Sequence, residues 1–389
     1  MPKGYMGQIL EVDLSEKKFQ IQDLPYDDAL KFLGGSGLSA WMLYNEIKHK
    51  PDIDPLSAEN PLIFGAGALV GAPFPTAARC SFTALSPLTG IFGDSNGGGV
   101  SGVAVKQSGF DHLIIRGISD KPCYLVIGSD EKCSIEDAAD LWGKNTDETE
   151  KKLKEKYPKA VVFVIGPAGE NLVGYAAITS NNNITIFGRS GMGAVMGSKK
   201  LKAIVAFGGK KIDVDDAEAL KTVSDKILKG VKEFPRAKLF HRYGTPMFLN
   251  MMEAKGLMYG ENWRRKVKNE DVTSLDIGAF YDATESKAHG CFRCPLTCGK
   301  KWKVIDHRQS RWLEISEPLK AVKTWNHLKV VIQITSFGCQ IFYLLHLAVG
   351  CIIVHYFHLC QLFRHNTLWP KNVDPQNSLF DLDNFGQSE

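Results

Sequence analysis

Phe187-Gly188-Arg189-Ser190-Gly191-Met192-Gly193-Ala194-Val195-Met196-Gly197-Ser198-Lys199 is the stretch on which the fold turns. Its four glycines stand among small and apolar residues, with one arginine at the front. Backbone stripped of side chains can approach a bound anion closely. The run looks like a phosphate loop but lacks the adjacent Gly-Lys pair of a Walker A sequence, so that assignment is rejected. The apolar run Ala203-Ile204-Val205-Ala206-Phe207 follows and reads as a strand closing the first domain. Upstream, Val161-Val162-Phe163-Val164-Ile165 reads as a buried strand, ended by Gly166-Pro167-Ala168-Gly169-Glu170-Asn171.

A second glycine-dense region opens at Leu62-Ile63-Phe64 and runs to Gly109. It contains Thr76-Ala77-Ala78-Arg79, Ser86-Pro87-Leu88-Thr89-Gly90 and Asp94-Ser95-Asn96-Gly97-Gly98-Gly99-Val100-Ser101-Gly102. The last segment satisfies G-x-G-x-x-G, but nothing clearly strand-like leads into it. No acidic residue stands about 20 positions on within a βαβ unit, so it is a weak nicotinamide fingerprint. Taken singly, each glycine-rich segment also reads as an ordinary turn. Taken together, each with an arginine nearby (Arg79, Arg189), they predict backbone amides and guanidinium groups gripping an anionic cofactor.

The third signal is His289-Gly290-Cys291-Phe292-Arg293-Cys294-Pro295-Leu296-Thr297-Cys298, three thiols at C-x2-C-x3-C spacing. Thiolates so spaced hold iron–sulfur cubanes or zinc. A cubane has four corners, so a fourth ligand must come from elsewhere. A zinc site and a chance group of buried or disulfide-bonded cysteines stay open as alternatives. The spacing reverses the C-x3-C-x2-C order favoured by radical-initiating clusters that use S-adenosylmethionine, which weakens that reading.

The 389 residues are 44% hydrophobic and 23% charged, an ordinary globular balance with room for two or three cores. A net charge of +4 is too mild to argue for nucleic acid. Nine cysteines, mostly scattered, and an opening without a secretory signal predict a cytoplasmic protein. Gln8 to Leu14 and Lys18 to Ile21 alternate as a hairpin, followed by a helix from Asp27 to Leu33. Gly34-Gly35-Ser36-Gly37 interrupts it, and a second helical segment continues through Trp41, Leu43 and Tyr44. Leu113-Ile114-Ile115 and Tyr124-Leu125-Val126-Ile127 read as strands, and Ser134 to Lys156 as one polar helix. From Asp215 the period becomes helical (Leu220, Val223, Ile227, Leu228, Val231), and another helix is expected from Thr245 through Met251. A domain boundary is therefore placed near residue 210.

These motifs, in this order, resemble the tungsten-containing aldehyde:ferredoxin oxidoreductases, from residue 4 to residue 318. The likeness rests on Gly34-Gly35-Ser36-Gly37-Leu38, Ser86-Pro87-Leu88-Thr89-Gly90, Gly166 to Asn171, Gly188 to Lys199 and the cysteine triplet. It implies an α+β fold: an N-terminal base domain of two β-sheets that cradles the pterins (1–210), then a mainly helical domain carrying the triplet (211–318). It implies tungsten, or molybdenum, bound by two pterin dithiolenes, beside a [4Fe–4S] cluster. The activity implied is oxidation of an aldehyde to a carboxylic acid, with electrons leaving one at a time to ferredoxin; a homodimer is compatible with it. By the resemblance, Arg79, Asn96, Gly98, Gly188 and Arg189 match cofactor-contacting positions. Cys291, Cys294 and Cys298 match three cluster ligands, with Arg79 between pterin and cluster.

Departures accompany the likeness. Thr185 and Ile186 stand where the family often has an arginine and a small residue near the pterin. After Glu317-Pro318 the pattern stops, and residues 319–389 match nothing in it. Residues 330–363 contain no Asp, Glu, Lys or Arg, yet histidines and cysteines are sprinkled through them without helical facing. A shifted reading frame or mis-joined exon is the preferred account; a membrane span and a buried helix are the others. Cys339, Cys351 and Cys360 have no matching context, so none is nominated as the fourth ligand, and no catalytic residue beside the metal is named. The main reading is an oxidoreductase of this family in truncated or frameshifted form. The competing one is a non-catalytic metal- or cofactor-binding protein, membrane-tethered by its tail. If the frame-shift account holds, translating the downstream nucleotide sequence in the other frames will recover the family's later motifs; their absence from every frame would refute it.

Overall fold

A computed structural model describes residues 3–50, 52–128, 130, 132–257, 259–260, 265–266 and 284–304. The expectations for 319–389 lie outside the described residues.

The first half forms two six-stranded mixed sheets. The first is built from β1 (Gln8–Asp13), β2 (Lys18–Asp23), β3 (Leu62–Ala66), β4 (Cys80–Leu85), β5 (Phe92–Gly97) and β6 (His112–Arg116), in the order β2-β1-β6-β3-β4-β5. Only β1 and β6 run parallel in it. Helices α1 (Tyr26–Phe32) and α2 (Gly35–Ile47) follow β2, and α2 buries Leu38, Met42 and Leu43 against Ile63 and Ile114 on the outer face. Helix α3 (Ser101–Ser108) joins β5 to β6.

The second sheet contains β7 (Cys123–Ile127), β8 (Cys133–Asp137), β9 (Val161–Val164), β10 (Ile178–Ser180), β11 (Thr185–Phe187) and β12 (Leu201–Ala206), ordered β11-β10-β9-β12-β7-β8. Helices α4 (Thr146–Lys156), α5 (Pro167–Glu170) and α6 (Met192–Ser198) connect its strands. The architecture is α+β, and one apolar core joins the sheets.

Four phenylalanines form the centre of that core. Phe64 and Phe82 come from the first sheet, Phe163 and Phe187 from the second, and all four are fully buried. Phe82 meets Phe187 edge-on at 5.0 Å and Phe163 at 5.5 Å between centroids. Edge-to-face geometry suits the ring quadrupoles and adds to the area term. Truncating such a ring removes about 3–5 kcal/mol.

Several local expectations are corrected. Residues 187–199 are only briefly a loop, because their second half is helix α6, buried along nearly its whole length. Its glycines serve close packing: a Cβ on Gly197 would lie 1.9 Å from the Gly169 carbonyl oxygen of α5. The G-x-G-x-x-G segment does follow a strand, β5. Asp94-Ser95-Asn96 is polar enough to hide that, and cross-strand pairing with β4 makes the strand. That pairing is antiparallel at a sheet edge, unlike a βαβ dinucleotide unit. The single helix expected over 134–156 is strand β8 followed by α4. β8 pairs with β7, Ile135 opposite Leu125. The helix starts only at Asn145, which caps it in a reciprocal box with Glu148.

Beyond residue 210 come α7 (Ala217–Glu233), α8 (Ala237–Tyr243), a 3-10 turn (Thr245–Phe248) and α9 (Leu249–Ala254). The helix expected over 245–251 is thus split, and α8 is additional. Short strands β13 (Tyr259–Gly260) and β14 (Arg265–Lys266) pair, and β15 (Thr284–His289) and β16 (Gly299–Val304) form an antiparallel hairpin. The cysteine triplet therefore sits at the tip of a β-hairpin rather than among helices.

Two alanine substitutions separate packing from propensity. Gly197→Ala is expected to destabilise the chain by about 1–3 kcal/mol or more, because backbone on both sides must move. Gly230→Ala, in α7 with open space at its Cβ position, should stabilise by about 0.5–1 kcal/mol. Denaturant unfolding of both variants checks the contrast.

Candidate functional site

Strands β4 and β5 pair with Cys80 opposite Gly97 and Ser81 opposite Asn96. The register carries Arg79, one residue before β4, to the same end of the pair as Asn96 and Gly98. Residues 94 and 96 share one face of β5, as the two-residue strand period requires. There the Asn96 carboxamide Nδ2 donates to Asp94 Oδ2 at 2.5 Å. Arg79 is exposed, Asn96 half-buried. Burial pushes the Asp94 carboxyl up to about 6, against the opposing pull of the Asn96 hydrogen bond and the Arg79 charge.

The second loop reaches the same strand from the other sheet. Phe187 is anchored in the aromatic core, so Gly188 and Arg189 emerge directly over β5. The Arg189 backbone N–H donates to Ser95 Oγ at 3.0 Å, and the Ser190 carbonyl accepts from Ser86 Oγ at 2.8 Å. Thr185 Oγ1 donates to the Gly98 carbonyl at 3.4 Å. Gly188 and the Arg189 side chain are exposed.

The cysteine hairpin docks onto this edge. The Phe292 N–H donates to the Gly99 carbonyl at 2.9 Å, and the Arg293 carbonyl accepts from the Thr76 N–H at 3.3 Å. The Phe292 ring packs against the main core. A Cβ on Gly98 would lie 2.8 Å from Cys291 Sγ, so the Cys291 thiol approaches there only because residue 98 lacks a side chain. Behind the tip, His241 of α8 and Thr297 share a hydrogen bond of 2.6 Å, and Lys300 Nζ donates to the carbonyls of His241 (2.5 Å) and Thr297 (2.9 Å).

The eight residues singled out from the sequence thus lie in strand β5 (Asn96), on the segments flanking β4, β5 and β11, and on the hairpin tip that docks at Gly99. Pattern reading missed Asp94, Ser95 and Thr76, which hold those residues in place. The polar alternation Asp94-Ser95-Asn96 was the available signal, once the segment is known to be a strand.

The cofactor set that the resemblance implies can be tested against these residues. Two exposed guanidinium groups and Gly98, with its lack of a side chain, suit a large anionic polar ligand. Cys291, Cys294 and Cys298 are in no disulfide, and thiols are the right donors for iron–sulfur chemistry. Cys294 is pushed up chiefly by burial, with the Cys291 charge adding to the shift, which puts the two side chains within electrostatic reach. Among the described residues no group of three or more His, Cys, Asp or Glu side chains converges on a point that could hold a metal ion. The donor chemistry fits a cluster; convergence of the three sulfurs is not part of this conformation.

Arginine-bearing loops and a thiol-bearing hairpin thus lie at one strand edge of an α+β base, an arrangement suited to an anionic cofactor. Comparison with known proteins gives the family. The model for the aldehyde ferredoxin oxidoreductase N-terminal domain matches residues 9–208, and that for domains 2 and 3 matches residues 222–320. The chain belongs to the aldehyde ferredoxin oxidoreductase family. It is 39% identical over 301 residues to the tungsten-containing aldehyde ferredoxin oxidoreductase of Pyrococcus horikoshii, covering 76% of this chain and 49% of that protein. It is 32% identical over 324 residues to the aliphatic sulfonate oxidoreductase WOR-like subunit of Pyrococcus furiosus, again covering 76% and 49%. A solved structure, the active-site complex BamBC of benzoyl coenzyme A reductase with 1,5-dienoyl-CoA, aligns with a TM-score of 0.70 at 32% identity, over 78% of this chain and 48% of that one. The chain spans about half the length of the curated relatives it matches. Among the described residues no helix is long and apolar enough to cross a membrane.

The Asp94 environment has a pH consequence. A carboxyl raised in the fold binds its proton more tightly there than in the unfolded chain. Its contribution is therefore favourable at low pH and is lost as pH rises through about 6. Asp94→Asn should equal the parent near pH 4 and exceed it above pH 6, by up to about 3 kcal/mol at 1.4 kcal/mol per pH unit. Unfolding free energies measured from pH 4 to pH 8 check the crossover.

Proposed function

We propose that this chain is the cofactor-binding base of an oxidoreductase that converts aldehydes to carboxylic acids at a pterin-bound tungsten or molybdenum. Ferredoxin takes the electrons through a [4Fe–4S] cluster. The observation that carries the reading is the meeting of Arg79, Asn96, Gly98, Gly188 and Arg189 with the thiol triplet at one strand edge, in a chain of this family. The proposed organisation is a pterin-binding domain over 1–210 and a domain over 211–318 that presents the triplet. Residues 319–389 are proposed to be a tail foreign to the family.

When bound, the metal pterin supplies oxygen transfer and two-electron chemistry, and the cluster passes electrons singly. The chain's own residues bind and orient. Arg79 and Arg189 offer planar, permanently charged donors to anionic groups from the two sides of β5. The carboxamide of Asn96 is held by Asp94 with its carbonyl oxygen and second N–H left for a heterocycle. Gly98 leaves room for the Cys291 thiol, and Arg79, placed by the resemblance, would stand as a cation between pterin and cluster and suit both anions. Cys291, Cys294 and Cys298 hold three corners of the cluster. Because one corner lacks a nominated ligand, this chain by itself is proposed to hold its cluster poorly and to be inactive or nearly so. A reducing, cytoplasmic setting, a homodimer and no nucleic-acid partner complete the reading.

Metal and pterin analysis of the chain produced with tungstate tests it. Tungsten or molybdenum with released pterin, plus iron that falls further in Cys291→Ser, is the expected result. Arg79→Ala should lower pterin content several-fold and leave the fold intact, because the side chain is exposed. One zinc per chain without pterin would sink the proposal and favour a non-catalytic metal-binding protein.

A further inference from the structure

Asp94 is the polar residue of this region that no motif assigns and that packing does not explain. It lies at the centre of β5, the edge strand on which both arginine-bearing loops close. One carboxylate oxygen, Oδ2, accepts from Asn96 Nδ2 at 2.5 Å. The other, Oδ1, is buried and has the Thr83 hydroxyl near it, outside regular hydrogen-bond geometry. Thr83 stands directly opposite on β4 in register, and Arg79 bears on the carboxylate electrostatically from the end of the same strand pair. Ser190, from the second loop, donates weakly to the Asp94 carbonyl at 3.5 Å.

A buried carboxylate with one oxygen outside regular hydrogen-bond geometry destabilises a fold unless something is gained in exchange. Apolar or neutral residues of similar size would fill the place at less energetic cost. What the carboxylate does here is directional. An asparagine amide is otherwise free to flip and present either oxygen or nitrogen outward. A carboxylate accepts but cannot donate, so it selects the rotamer in which nitrogen faces Asp94. The carbonyl oxygen of Asn96 is then turned away from the carboxylate.

Building on the cofactor reading above, we propose that Asp94 is the positioning residue of the pterin site: it locks the amide orientation of Asn96, so that the chain presents a fixed acceptor to the heterocycle. The carboxylate itself does not touch the ligand. Its role parallels that of the outer groups that orient ligating side chains in metal sites, where removal weakens binding about 10–100-fold.

The test uses the full 389-residue chain produced with tungstate, and reads tungsten and released pterin per chain together with the melting temperature at pH 8. In Asp94→Asn the residue facing Asn96 can donate as well as accept, so the amide is no longer locked. The expected result is pterin and tungsten content down about ten-fold while the melting temperature rises by a few degrees. A second variant exchanges the pair, Asp94→Asn with Asn96→Asp. It rebuilds the carboxylate–carboxamide hydrogen bond but puts a carboxylate where the ligand needs the amide. Pterin content is expected to stay low in it. If Asp94 only braced the strand, Asp94→Asn would lower melting temperature and pterin content together and the exchange would restore both; that pattern, or unchanged pterin content in Asp94→Asn, overturns the proposal. A parent chain carrying neither tungsten nor pterin would instead overturn the cofactor reading itself, and with it this one.

Discussion

The contact of Phe82 with Phe187, and through them of Phe64 with Phe163, is the constraint on which the molecule depends. These rings are where the first sheet meets the second. Two of the rings lead straight to the site. Phe187 leads into Gly188 and Arg189, and Phe82 sits opposite Ser95, whose hydroxyl receives the Arg189 amide. The distance between the two arginine-bearing loops is therefore set by apolar packing, which is short-ranged and intolerant of voids. Polar contacts at the surface then need only trim the arrangement.

Buried charge elsewhere in the base follows the same economy of placement. Lys106 of α3 is fully buried, yet its ammonium donates to the carbonyls of Gly4, Gly67 and Ala68 at 2.6–2.7 Å and faces Asp111 at 3.7 Å. Burial still brings it down to about 8. Lys202 in β12 is paired with Glu170 of α5 and with the Lys144 carbonyl. Both lysines staple loops to the sheets, where their partners saturate them.

The hairpin carrying the cysteines relates to the base through backbone as much as through side chains. Phe292 bonds to Gly99, Arg293 to Thr76, and the Phe292 ring enters the core. That geometry explains why a glycine-rich turn and a thiol triplet nearly two hundred residues apart belong to one site. The glycines at 98 and 99 are a landing place for the hairpin as well as an approach to a ligand. Helix α8 closes the arrangement from behind, through His241 and the Lys300 ammonium.

Much was legible in the residues themselves. Apolar runs such as Val161 to Val164 and Leu201 to Ala206 declare buried strands because periodicity and β-branching are local properties. The two arginine-bearing glycine segments and the cysteine spacing announce cofactor chemistry for the same reason: the residue types and intervals are the chemistry. The polar strand β5, the strand β8 inside a presumed helix and the burial of α6 were not legible. Each exists because a neighbour pairs with it or packs on it: β4 makes β5 a strand, β7 makes β8 one, and α5 packs on α6, none of which residue type alone declares. The sequence alone, through its resemblance to the family, nominated the groups proposed to bind a metal pterin and a cluster. Only the tertiary structure decided that they meet at one strand edge, because ring packing across two sheets and the docking of the cysteine hairpin on Gly99 are contacts between segments that do not adjoin in the chain.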